Sequence, residues 1–115
     1  MDNILDILNT SAKNLQQQTT KITKRYNVTI AEWKLLRQIA DNVITQDGMA
    51  SSLQLDTSTL SRQLKNLSAK ELVSKTAVGK DQRQLEYALT TTGQQALKGI
   101  NDTYDTLVDN IFHYW

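Results

Sequence analysis

The spacing of apolar residues changes period twice along this chain, and that change limits the folds open to it. Up to Val73 the apolar positions recur at intervals of three and four, the spacing of one face of an α-helix. Beyond it Leu85, Tyr87 and Leu89 alternate with Gln84, Glu86 and Ala88, the period of a strand with one buried face. From Thr91 the three-four spacing returns. Leu72 to Ala77 supplies the strand with a partner across a polar tip, Val78-Gly79-Lys80-Asp81-Gln82-Arg83, in which Gly79 takes a positive φ at little cost. The chain is therefore expected to be mainly α with one small β-hairpin set among its helices.

Long amphipathic helices are expected at both ends. Leu5, Leu8, Ala12, Leu15, Thr19, Ile22 and Tyr26 form a narrow seam in the first. Leu97, Ile100, Tyr104, Leu107 and Ile111 form one in the last, with Val108, Phe112, Tyr114 and Trp115 as a second apolar edge. The last helix starts at Thr90 or Thr91, where Thr91-Thr92-Gly93-Gln94 has the spacing of a capping box. Ile111, Phe112, Tyr114 and Trp115 are more apolar surface than a frayed end carries, so the terminal helices read as a dimer interface.

Three shorter helices lie between. Ile30 to Ala40 carries Ile30, Trp33, Leu36, Ile39 and Ala40 on one face behind Thr29 as N-cap. Gln46 to Leu53 follows Thr45 and turns Met49, Ala50 and Leu53 inward. Thr57 to Lys70 follows Asp56, and its buried stripe is Leu60, Leu64 and Leu67. Proline is absent, so helix ends must rely on caps.

The 115 residues suit one domain, and 39% hydrophobic with 22% charged residues is an ordinary globular composition. Its apolar runs are far too short for a membrane span, and Met1-Asp2-Asn3 does not open a signal peptide, so a cytoplasmic protein is expected. No cysteine is present, which removes disulfides, zinc–thiolate sites and thiol sensing. Catalysis finds no support: the single histidine, His113, is near a terminus, and Gly48, Gly79, Gly93 and Gly99 are too scattered for a phosphate loop. Asp2, Asp6, Glu32, Asp41 and Asp47 lack metal-site spacing. No enzyme, cofactor or metal is expected.

A net charge of +1 gives no overall nucleic-acid signature, but the charge is unevenly spread. Between Thr57 and Arg83 stand six basic residues (Arg62, Lys65, Lys70, Lys75, Lys80, Arg83) and two acidic ones (Glu71, Asp81). Asp102, Asp105 and Asp109 make the last stretch acidic. At 100° per residue, Ser58, Arg62, Lys65 and Ala69 lie opposite the leucine stripe, flanked by Ser61 and Asn66. A short helix bracing such a face is the plan of a helix-turn-helix, whose second helix enters the DNA major groove. Arg62 suits guanine, worth roughly 1–3 kcal/mol of discrimination, while Thr57, Ser58, Ser61 and Lys65 suit phosphates or less exclusive base contacts. The hairpin beside it would act as a wing: Lys80 and Arg83 lie near its tip, and Asp81 is placed to orient Arg83 for a minor groove.

With these residues the sequence resembles the MarR family of winged-helix regulators. The resemblance is carried by Met49 to Arg62, by Leu67 to Val73, and by Asp81-Gln82-Arg83 leading into Leu89-Thr90-Thr91-Thr92-Gly93. The first two elements of that last stretch match the family's Asp-x-Arg wing and Leu-Thr-x-x-Gly helix start, and Ile30 to Leu36 resembles its second helix. The resemblance implies a single winged helix-turn-helix domain over residues 1–115, with dimerisation helices at 1–26 and 92–115 and the winged portion at 29–91. It also implies a homodimer that binds double-stranded DNA at a palindromic operator, represses transcription, and releases DNA when a small aromatic effector binds at the junction of its two regions. Gln54 and Glu71 depart from the family, standing where glycines are usual. Either Glu71 adopts a left-handed conformation at about 1 kcal/mol, or the helix before it ends differently. The chain leaves little room for a separate sixth helix. A protein-binding adapter or antirepressor on the same fold is the alternative from another class, distinguished by a lack of duplex binding.

Overall fold

Without proline, the chain turns its corners on side-chain caps at helix starts and left-handed residues at helix ends. The computed structural model describes residues 4–82 and 84–112, with side chains from 13 to 82 and from 84 to 110. Its elements in order are α1 (Ile4–Arg25), α2 (Ile30–Ala40), α3 (Gln46–Leu53), α4 (Thr57–Ala69), β1 (Val73–Val78), β2 (Gln84–Leu89) and α5 (Thr91–Phe112).

Four helices end in one pattern. Asn27, Asn42, Gln54 and Glu71 have φ of 61°, 68°, 55° and 60°. The amide after each reaches back five residues to a helix carbonyl: Val28 to Thr23, Val43 to Gln38, Leu55 to Ala50 and Leu72 to Leu67. This is the Schellman closure, which pairs the carbonyls a helix end leaves open. Asparagine tolerates the left-handed region, whereas glutamine and glutamate do so against a steric penalty. Glu71 therefore takes the left-handed alternative and the family's turn is kept.

The starts are equally defined. Thr29 Oγ1 accepts from the Glu32 amide while Glu32 Oε1 accepts from the Thr29 amide, a complete capping box. Thr45 caps α3 through the Gly48 amide. For α5 the cap is Thr90, whose hydroxyl accepts from the Gly93 amide at 2.9 Å, so the box expected at Thr91 to Gln94 does not form. Thr90 also donates to the Glu71 carbonyl and sends its amide to that of Leu72, tying the start of α5 to the end of α4. Gly93 permits this approach, since a Cβ there would overlap the Leu72 carbonyl oxygen.

The core centres on α2, which touches α1, α4, α5 and β2. Trp33, Leu36 and Ile39 are buried as expected, but Leu35 is fully buried too and Ala40 is exposed. Leu60, Leu64 and Leu67 of α4 meet this centre, and Ile22, Leu97 and Ile100 close it from the terminal helices. Each such side chain gains about 2 kcal/mol from leaving water. Antiparallel β1 and β2 pair from Val73↔Leu89 to Val78↔Gln84. The Tyr87 amide donates to Ile44, and Thr45 bridges Glu86, so the loop before α3 continues the sheet. The radius of gyration, 16.8 Å, exceeds the roughly 13 Å of a compact chain this long, and the extents are 64 × 27 × 20 Å. No helix among the described residues is long and apolar enough to cross a membrane.

Relief of the left-handed strain is measurable. Glu71→Gly is expected to raise unfolding free energy by about 0.5–1 kcal/mol in urea denaturation. Glu71→Ala, which keeps the Cβ, is expected to give no such gain.

Candidate nucleic-acid interface

The face that sequence assigns to nucleic acid is built by α4 from its leucine side outwards. Leu60, Leu64 and Leu67 are 1%, 1% and 0% exposed, which fixes the helix's rotation. Thr57, Ser58, Ser61, Arg62 and Lys65 are thereby turned to solvent, with Asn66 and Ala69 beside them. Behind α4, α3 packs as a brace through buried Met49 and half-buried Ala50 and Leu53. The turn between them runs through left-handed Gln54 to Asp56, whose carboxylate accepts from the Thr59 amide at 2.7 Å. Among the described residues neither Arg62 nor Lys65 is held in an ion pair.

Lys80 and Asp81 are exposed at the hairpin tip, where Gly79 has φ of 93° and accepts from the Gln82 amide. Arg83 lies outside the described residues, as do His113, Tyr114 and Trp115 and the side chains of Leu5, Leu8, Ala12, Ile111 and Phe112. Thus the structure gathers Thr57, Ser58, Ser61, Arg62 and Lys65 on one helix face and sets Lys80 and Asp81 on the wing.

One basic residue of this stretch is spent elsewhere. Lys70 Nζ lies 2.9 and 3.0 Å from the two carboxylate oxygens of Glu32, a residue 3% exposed. The sequence places Lys70 among the six basic residues between Thr57 and Arg83 and Glu32 among scattered acids. The threonine three residues before Glu32 was the available signal, because a capping box draws its carboxylate against the helix start. The Ile44–Tyr87 pairing carried no signal, since two residues are too few to show a period.

A second feature lies between α1, α2 and α5. A cavity of about 320 Å³ is lined by Leu15, Ile30, Trp33, Lys34, Arg37 and Tyr104, among others. Trp33 meets Tyr104 edge-on with ring centroids 5.0 Å apart, Arg37 sits 5.2 Å from the Trp33 ring centre, and the indole N–H donates to Asn101. Aromatic walls suit a flat ring, and the two cations beside them suit an anionic substituent on it.

A bracing helix, an exposed polar helix and a two-stranded hairpin make this a winged helix-turn-helix. Comparison with known proteins gives the same fold. The structure of MepR, a transcription regulator of the Staphylococcus aureus multidrug efflux pump MepA, matches with a TM-score of 0.85 at 20% identity, covering 99% of this chain and 85% of that one. The S. aureus MepR–DNA complex matches at 0.77 and 18%, covering 98% and 83%. YusO from Bacillus subtilis matches at 0.86 and 17%, covering 97% and 80%. No curated protein sequence matches this chain. The MarR family model matches residues 26–84, from just after α1 to the first residue of β2. The chain belongs to the MarR family.

The cap of α4 sets a pH dependence. The backbone hydrogen bond from Thr59 first, and the nearby Arg62 charge in smaller part, hold the Asp56 carboxyl below its ordinary value of 3.8. A lowered folded-state pKa gives stability that is present above the unfolded value and lost as pH falls through the folded one. The melting temperature of Asp56→Ala should therefore lie below wild type at neutral pH, and the gap should narrow below pH 3.8.

Proposed function

We propose that the chain is a homodimeric repressor of a palindromic operator, with the exposed face of α4 in the major groove and the wing along the flanking minor groove. The observation that carries this reading is the leucine-anchored rotation of α4, which turns Thr57, Ser58, Ser61, Arg62 and Lys65 outward together. Arg62 reads guanine, while Thr57, Ser58, Ser61 and Lys65 take phosphates or less exclusive base contacts. Lys80 holds backbone phosphate, and Arg83 enters the minor groove oriented by Asp81, a role resting on its place in the Asp-x-Arg element. The domain spans 1–115, and the terminal helices at 1–26 and 92–115 dimerise. Their length and the molecule's 64 Å extent favour a partner along them. The Trp33–Tyr104 cavity takes the effector, an aromatic acid whose carboxylate meets Lys34 and Arg37 and whose binding relieves repression.

Selection of bound sequences from random duplex DNA tests the whole reading, since recovery of a palindrome reports duplex binding, half-site spacing and the dimer together. Arg62→Ala is expected to change the bases preferred in each half-site. Arg83→Ala is expected to weaken binding with little change of preference and to lower the slope of log K against log salt by about 0.9. Unchanged binding by both variants would remove these assignments.

The effector reading has its own measurement. With Trp115 replaced by phenylalanine, Trp33 is the remaining tryptophan of the two. Benzoate-class acids should quench its fluorescence and weaken duplex binding, and Arg37→Ala should lose both effects.

A further inference from the structure

Contact between α2 and α4 is mostly hydrocarbon, with Leu35, Leu36 and Ile39 in the same core as Leu60, Leu64 and Leu67. Such burial sets how closely two helices approach, but it has little directional preference. The Glu32–Lys70 pair differs in kind. Its acceptor is fixed, because Glu32 is also held to the Thr29 amide in the capping box at the start of α2. Its donor is the C-cap residue of α4, and its Nζ reaches both carboxylate oxygens. The side chains are 4% and 28% exposed, against 63% and 78% for Asp102 and Lys98 in the other ion pair among the described residues.

We propose that Glu32 and Lys70 are positioning residues for DNA recognition: the pair clamps the C-terminal end of α4 to the fixed start of α2 and so sets the register in which α4 meets the bases. Lys70 thus serves binding without contacting DNA. The inference rests on α4 entering the major groove.

Its consequence runs against simple electrostatics. Glu32→Gln keeps an acceptor for the Thr29 amide, so the capping box survives. It also removes a negative charge and frees Lys70 to reach outward, both of which should tighten binding to a polyanion. Loss of register weakens it instead, and only where bases are read.

The test uses the duplex recovered by selection and a scrambled duplex of the same composition, with anisotropy titrations at several salt concentrations. Glu32→Gln is expected to weaken the selected duplex by roughly fivefold to fiftyfold, while the scrambled duplex binds equally well or better. Lys70→Met is expected to weaken the selected duplex without changing the salt slope, and Lys70→Arg, which keeps the forked contact, to bind as wild type. Thermal melts establish that each compared variant is folded, and the Lys70→Met slope decides the matter if Glu32→Gln is not. Equal or tighter binding of the selected duplex by folded Glu32→Gln would overturn the inference. So would a slope reduced by about 0.9 in Lys70→Met, which marks a lost phosphate contact. Either result leaves the DNA reading standing, whereas a wild-type chain that recovers no duplex removes both.

Discussion

The face that α4 turns outward is oriented by what α2 buries. Leu35 and Leu36 are fully buried and Trp33 and Ile39 nearly so, and the helix that carries them touches α1, α4, α5 and β2. The leucine stripe of α4 meets this centre, and with one face of α4 committed the opposite face has no choice of direction. Burial of that stripe is the larger energy, about 2 kcal/mol per leucine, but it specifies proximity more than angle. Angle and register fall to polar contacts, each of which acts at a helix end.

These ends form a connected set. The Schellman turn at Glu71 closes α4 and hands the chain to β1. Thr90 grips both the Glu71 and Leu72 carbonyls, so that one turn is also held from the start of α5. Glu32 holds Lys70 one residue earlier. The end of α4 is thus fixed to α2 and α5 within three consecutive residues. A glycine at position 71 would suit the turn better, and its absence shows that the surrounding contacts are strong enough to hold a glutamate where its Cβ is unfavourable.

How far the sequence disclosed this depends on whether a feature repeats. The helices and the second strand of the hairpin were legible because each repeats its period, the first strand followed as its partner, and the outward set on α4 followed from the angle to Leu60, Leu64 and Leu67. The N-caps at Thr29, Thr45 and Asp56 were legible from residue type. What escaped were single contacts between distant positions: Lys70 with Glu32, Tyr87 with Ile44, and Thr90 with Glu71, separated by 38, 43 and 19 residues. Lys70 shows the cause well. Its charge matches that of Lys65 and its place at the C-cap of α4 shows that it sits on another side of the helix, but only the fold reveals that it meets a buried carboxylate while Lys65 faces solvent. Leu35 and Ala40 exchanged their expected environments for a related reason, since a central helix packed on several sides does not keep a single apolar face.

That central helix also brings two features into one rigid element. Trp33, Lys34 and Arg37 line the aromatic cavity, and Glu32, the residue before Trp33, holds the end of α4. A ligand shifts a conformational equilibrium only by its differential affinity for the two states. An occupant that merely filled existing space in the cavity would leave α4 where it is, however tightly it bound. An occupant that pushed Trp33 away from Tyr104 would move the first turn of α2, where Glu32 is locked to Thr29, and would carry Lys70 with it. The size of a regulatory effect should therefore follow how far a ligand displaces the Trp33 ring rather than how strongly it binds.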